Sequence, residues 1–154
     1  MYTYMKQISY IDDWTTWQKS FSFSITVPVR FSETDMFGHM NNVTAFIYFE
    51  QARIEYLKAK GMFGNDEKVT AFPVVADLQC DFLEQIYFDE KITIHVKTDR
   101  VGNSSLDLHY MGTKENGDVC LTGRGALVYI DAHTHRTVSI PEHMKQRLMD
   151  ESYL

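Results

Sequence analysis

The sequence predicts an α+β fold in which one long helix is enclosed by a curved antiparallel sheet, and three features of its 154 residues lead there. One clearly helical stretch, Val43 to Lys60, is hydrophobic nearly all round its first half, so it must be enclosed rather than lie on a surface. Four strand patterns follow it in succession, joined by turns with no second helix between them, which makes the sheet antiparallel. Little else in a chain of this length could cover the helix, so the sheet has to curl around it.

Residues 1–20 read as an N-terminal arm packing on the domain, and 21–154 as a single domain. The arm is aromatic and polar without a clean period, although Ile11-Asp12-Asp13-Trp14 can open a short helix with an aspartate near its N-terminus. From Phe21 to Phe31 apolar and polar residues alternate strictly, as in a half-buried strand, and Pro28 places that strand at an edge or a bulge. After the polar turn Ser32 to Asn42, the helix carries a stripe of Ala45, Phe49, Ala52, Tyr56 and Ala59 and closes on Gly61 as a left-handed cap. Alternation resumes at Val74, Ala76, Leu78, Cys80 and Phe82, again at Ile92, Ile94 and Val96, and after a Gly102-Asn103 turn at Leu106, Leu108 and Tyr110. Asn116-Gly117 is a hairpin signal leading to a last strand from Val119 through Ala126, Val128 and Ile130. Pro141 then begins a short C-terminal helix. Such a sheet keeps open edges and one solvent face, which pairing between copies of the chain would protect.

Fifteen Lys and Arg against twenty-one Asp and Glu give a net charge of −6, which argues against nucleic acid or an anionic membrane as the main partner. No apolar run approaches the roughly 18 residues of a membrane span, and the N-terminus lacks a basic segment followed by an apolar one, so the expected compartment is the cytoplasm. The two cysteines, Cys80 and Cys120, sit in separate apolar stretches and read as buried thiols, not as a zinc site or a disulfide.

Chemistry concentrates between Ser32 and Asn42, where two acids, two hydroxyls, a histidine, two amides and a glycine meet the N-terminus of the enclosed helix. A helix N-terminus offers unpaired N–H groups and partial positive charge, suited to polarising a carbonyl or holding an anion. The same residues also serve as an ordinary cap, Asn41 or Asn42, and an ordinary turn residue, Asp35. On the helix, Glu50 needs a partner if buried, and Arg53 three residues on is expected to pair with it.

The run VRFSETDMFGHMNNVTAFIYFEQARIEYL, with the later stretches RVGNSSLDLHY and GRGALVYID and the Asp-x-x-Thr-x-Arg before Ile-Pro, resembles the hotdog-fold acyl-CoA thioesterases. That group includes the 4-hydroxybenzoyl-CoA thioesterase type and bacterial long-chain acyl-CoA thioesterases, and the likeness runs from about Phe23 to Leu148. It implies an enzyme that hydrolyses an acyl-CoA to a carboxylic acid and CoA without a metal or a tightly bound cofactor. It also implies Asp35 as general base or nucleophile; a thioester is already activated, so one carboxylate and a polarised carbonyl suffice. By the same resemblance His39 and Asn42 touch substrate, while Arg100, Ser104 and Ser105 bind the CoA phosphates and pantetheine, with Arg124 as a second phosphate ligand. A homodimer or homotetramer with the active site at the dimer interface is implied too. Ala45, where many relatives carry an aromatic, favours a bulkier or longer aliphatic acyl group. Two other readings stand beside this one: a hotdog dehydratase or hydratase acting on 3-hydroxyacyl thioesters, and a non-catalytic acyl-CoA-binding protein.

Overall fold

The computed structural model describes residues 7–62 and 69–152, so residues 1–6 of the expected arm and 153–154 at the end of the expected domain lie outside the described residues. In chain order the elements are α1 (Trp14–Lys19), β1 (Phe23–Pro28), a 3-10 turn (Phe31–Glu33), α2 (Asn42–Ala59), β2 (Ala71–Phe82), β3 (Lys91–Val101), β4 (Ser105–Thr113), β5 (Val119–Asp131) and α3 (Glu142–Met149). The five strands form one antiparallel sheet in the order β1-β3-β4-β5-β2, with α2 packed on one face, as expected. No helix among the described residues is long and apolar enough to cross a membrane.

The helix starts where Asn41 caps it: its Oδ1 accepts from the Val43 N–H at 3.0 Å, and Asn42 is the first helical residue. Ala45, Phe49, Ala52 and Tyr56 are buried as the stripe requires, joined by Tyr48 and Leu57. Gly61 follows at φ +81, and the Met62 N–H reaches back to the Leu57 carbonyl, the left-handed end only glycine adopts cheaply. Phe49 stacks on Tyr110 of β4 at 4.5 Å between centroids, and Gly123 of β5 makes the seat possible. A Cβ on Gly123 would stand 2.5 Å from the Phe49 ring.

Four expectations are corrected here. The first half of α2 is not enclosed within one chain: Val43 is 63% and Ile47 49% exposed, because the sheet covers only one side of the helix. On β5 the inward residues are Leu121, Gly123, Gly125 and Leu127, while Ala126, Val128 and Ile130 face the other way; two glycines hide the true inward face from a pattern read by hydrophobicity. On β2 a bulge between Val75 and Asp77 breaks the alternation, and Phe82, at the sheet's end, is exposed. Finally, the outer face of the sheet is not left wholly to solvent.

Around His109 and Met111 of β4 that face is covered by the N-terminal segment. Ile8, Ile11 and Trp17 pack with Met111 of β4, and Tyr10, Trp14, Phe21, Leu83 and Val119 surround them. Trp17 also donates its indole N–H to Nδ1 of His109 at 3.0 Å, with the Tyr10 ring 5.0 Å from the imidazole. In consequence β4 is buried on both faces from His109 to Gly112.

Candidate active site

β1 leaves the sheet at Pro28, paired with Lys91, and the chain turns at once over the start of β3. The Val29 N–H donates to the Glu90 carbonyl at 2.9 Å, and the Met40 N–H donates to the Ile86 carbonyl, so both ends of the intervening loop are tied to the segment before β3. Inside the loop the Asp35 N–H donates to the His39 carbonyl at 2.8 Å and the Gly38 N–H to the Asp35 carbonyl at 3.0 Å, with Gly38 at φ +80. Asp35 is therefore the first residue of a tight turn.

Its carboxylate is oriented by that turn: Oδ1 accepts the Phe37 N–H at 2.9 Å and the His39 N–H at 3.2 Å. Oδ2 accepts nothing among the described residues, and the residue is exposed. His39 is half-buried with its ring 5.2 Å from that of Tyr87, and no hydrogen bond joins its imidazole to Asp35. Asn42 is exposed at the helix start, and its N–H makes no hydrogen bond among the described residues, since Asn41 occupies those of Val43 and Thr44. Beside it a cleft of about 170 Å³ is lined by Met40, Asn42, Phe82, Glu84, Gln85 and Ile86. Ala45 is wholly buried and does not line this cleft. Met36 and Phe37 at the turn are 90% and 75% exposed.

The residues expected to hold CoA sit elsewhere. Arg100 near the end of β3, Ser104 in the turn that follows and Ser105 at the start of β4 lie at the far end of β3 from the Asp35 loop. From Lys91 at one end of β3 to Arg100 near the other, strand residues at about 3.3 Å each separate the two groups by roughly 30 Å. One chain thus brings Asp35, His39 and Asn42 together and leaves Arg100, Ser104 and Ser105 apart from them. At that turn Arg100 is mostly exposed, 3.5 Å from Asp107, and the Ser104 carbonyl accepts the Tyr129 N–H at 2.8 Å.

Arg124 is engaged on the outer face: its guanidinium lies 3.0 Å from Asp107 and 3.3 Å from Asp77, which leaves it poorly disposed as a phosphate ligand. The Glu50–Arg53 pair does not form. Glu50 is exposed, so it needs no partner, and Arg53 is buried with Nη1 donating to the Tyr110 hydroxyl at 3.2 Å. Cys120 is buried and Cys80 half-buried, and burial pushes both thiols up to about 12.

Sequence reasoning passed over Glu33 and Tyr48. Glu33 is buried, and its Oε1 accepts from the Tyr48 hydroxyl at 2.8 Å and from the Arg30 N–H at 2.8 Å. Desolvation opposes its ionisation, but these bonds and the Arg30 guanidinium outweigh it and hold the carboxyl below the usual range. The signal was available in Tyr48: a tyrosine in the apolar first half of the helix needs a hydrogen-bond partner if buried, and Glu33 in the preceding loop supplies it, not Glu50 two residues on, which is exposed.

The geometry can be set beside known proteins. A family model described as the thioesterase-like superfamily matches residues 29–148. The chain is 47% identical to an uncharacterized protein, YsmA, of Bacillus subtilis (strain 168), over 94% of this chain and 98% of that protein. It is 25% identical to a 1,4-dihydroxy-2-naphthoyl-CoA hydrolase of Synechococcus sp. (strain WH7803), over 90% and 92% of the two chains. Among solved structures, a thioesterase from Thermus thermophilus, complexed with coenzyme A and Zn, superposes with a TM-score of 0.70 at 30% identity, over 83% of this chain and 92% of that one. With a family match over most of its length and a helix-on-sheet architecture shared with a solved thioesterase, the chain belongs to the thioesterase-like superfamily of hotdog fold.

Proposed function

We propose that this protein hydrolyses the thioester bond of an acyl-CoA, with Asp35 as general base on water or as nucleophile on the carbonyl carbon. The observation that carries the reading is the Asp35 carboxylate: exposed, with one oxygen fixed by two N–H groups and the other open, in the loop that leads into the N-terminus of α2. By the general-base route, Oδ2 takes a proton from water as the water oxygen bonds to the carbonyl carbon. The C–S bond then breaks, CoA leaves as its thiolate, and the proton ends on the sulfur or in solvent. The Asn42 N–H, without a partner among the described residues and at the positive end of the helix, suits the oxyanion. His39 and Asn42 border the acyl end.

The CoA end comes from a second copy in this reading. β2 is an edge strand, bonded only to β5, and Val74, Val75 and Phe82 along it are exposed. Antiparallel pairing of two β2 edges about a two-fold sets the Phe82 end of one chain beside the Val74 end of the other. Val74 lies in the same ladder row as Val128 and Ser105. Such pairing carries the partner's Arg100, Ser104 and Ser105 toward the Asp35 end, and closes a cleft that alone is smaller than the roughly 300 Å³ of an ordinary ligand pocket.

Free-thiol release from short, long and aryl acyl-CoAs, by wild type and Asp35→Asn in parallel, tests the reaction. Turnover by wild type, with kcat down on the order of 10² or more in the folded variant, is the expected result. Hydrolysis undiminished in Asp35→Asn refutes the site. The shared site is tested by mixing inactive Asp35→Asn with a Ser104→Ala/Arg100→Ala variant. Mixed dimers regain activity if each site draws on two chains, and do not if it draws on one.

A further inference from the structure

We propose that Glu33 is the positioning residue of the reacting loop, anchoring Asp35 to helix α2 through the Tyr48 hydroxyl; this rests on the reading of Asp35 given above. Three parts of the structure meet at this one residue. Its backbone carbonyl accepts the Asn41 N–H at 2.7 Å, the residue that caps α2. Its Oε1 accepts the Arg30 N–H where the chain leaves β1, and also the Tyr48 hydroxyl on the second turn of α2. Its Oε2 faces the Arg30 guanidinium at 3.3 Å. Asp35 follows two residues later, and a bridge between Thr34 and Met40 passes the anchorage directly to the turn that aims its carboxylate.

Among these links the Tyr48 bond is the one with leverage. The Arg30 side chain is largely exposed, so water competes for its ion pair. Tyr48 is buried at 2% exposure and Glu33 at 7%, and Glu33 is the hydrogen-bond partner of the Tyr48 hydroxyl. Buried, charge-assisted and between two fixed elements, this bond defines where the loop sits relative to the helix end. Glu33 does not itself serve as the base: both its oxygens are engaged and its side chain is closed to solvent. The Met36–Phe37 tip has no comparable support, being almost wholly exposed. A loop released at Glu33 keeps its own turn and loses its alignment to the α2 N-terminus. Misplacement on the order of 1 Å costs up to about 10² in rate.

The test uses the full chain and an acyl-CoA that wild type turns over, with Glu33→Gln, Tyr48→Phe, the double variant and Asp35→Asn. Rates are read at a temperature where circular dichroism shows each protein fully folded. Tyr48→Phe keeps the ring and its packing, so it decides the matter if Glu33→Gln fails to fold. The expected result is kcat down about tenfold or more in each single variant, KM within about twofold, and a double variant no worse than the poorer single, as for two ends of one bond. Unchanged kcat with only a lower melting temperature makes Glu33 purely structural and overturns the proposal, as does a double variant whose losses multiply. If Asp35→Asn retains full turnover, it is the reading of Asp35 that fails, and the two failures are told apart by that arm.

Discussion

Lowering the pH from 7 to 5 is expected to weaken this fold through His109. The imidazole is 3% exposed beneath the N-terminal segment, and Trp17 donates to its Nδ1, which is possible only when that nitrogen carries no proton. Burial is the largest influence and pushes the group down, from 6.5 to about 4; Asp99 and Asp107 oppose the shift, while Lys97 and Arg124 add to it. Asp99 stands 3.6 Å from Nε2, yet it is half exposed to water, and the Trp17 bond fixes the neutral form. In the unfolded chain the same histidine takes a proton near pH 6.5. Between about pH 6.5 and 4 the unfolded state therefore binds the extra proton, and stability falls as pH falls. Integrating that difference down to pH 5 gives about 2 kcal/mol. Urea unfolding of wild type and His109→Gln at both pH values, followed by Trp fluorescence, isolates the effect, because glutamine can still accept from Trp17 and does not titrate. Wild type should lose about 2 kcal/mol more than the variant across the interval. Equal losses in the two proteins would refute the assignment of a buried neutral imidazole.

Other outcomes follow from close approaches and backbone geometry. Gly123→Ala puts a methyl group 2.5 Å from the Phe49 ring and 2.9 Å from the Gln79 carbonyl, so a loss of about 1–3 kcal/mol is expected by denaturant titration. Gly38→Ala meets nothing within 4 Å, so its cost is that of the left-handed backbone alone, about 1 kcal/mol; kcat should fall further than stability does, because the residue closes the turn that aims Asp35. Gly61→Ala carries the same left-handed backbone cost, φ +81, and displaces only the flexible end of Arg147, 2.7 Å away, so it should lower the melting temperature by about as much as Gly38→Ala. Neither cysteine should react with a thiol reagent at pH 8 within minutes in the native protein, and both should in denaturant, since their thiols are neutral at that pH.

Much of the fold was legible because hydrophobic periodicity survives without tertiary information. The stripe Ala45, Phe49, Ala52 and Tyr56, the glycine cap at Gly61 and the alternation through Ile92, Ile94 and Val96 all describe residues whose burial is set by their own element. What failed depended on a neighbour. The inward face of β5 is carried partly by glycines that make room for Phe49, and Arg53 turns to Tyr110, 57 positions away, instead of to Glu50 three positions away. Arg124 is drawn to Asp107 and Asp77 on strands the pattern cannot align. The Asp35 loop was legible as a cluster of polar groups at a helix start. That its expected CoA ligands occupy the opposite end of the sheet was not, since alternation gives the face of a strand and says nothing of which ends meet.

The covering of both faces of β4 sets a hierarchy of hydrogen exchange. From His109 to Gly112 the strand lies between α2 on one side and the Trp17 segment on the other, with β3 and β5 bonded along its two edges. Its amide protons reach water only when helix, sheet and arm have all come apart, so their exchange reads out the free energy of global unfolding. Those of β1 and β2, each bonded along one edge only, exchange through smaller openings. The strand enclosed on all sides thus keeps the slowest clock in the molecule, and in a single chain the free edge of β2 keeps a fast one.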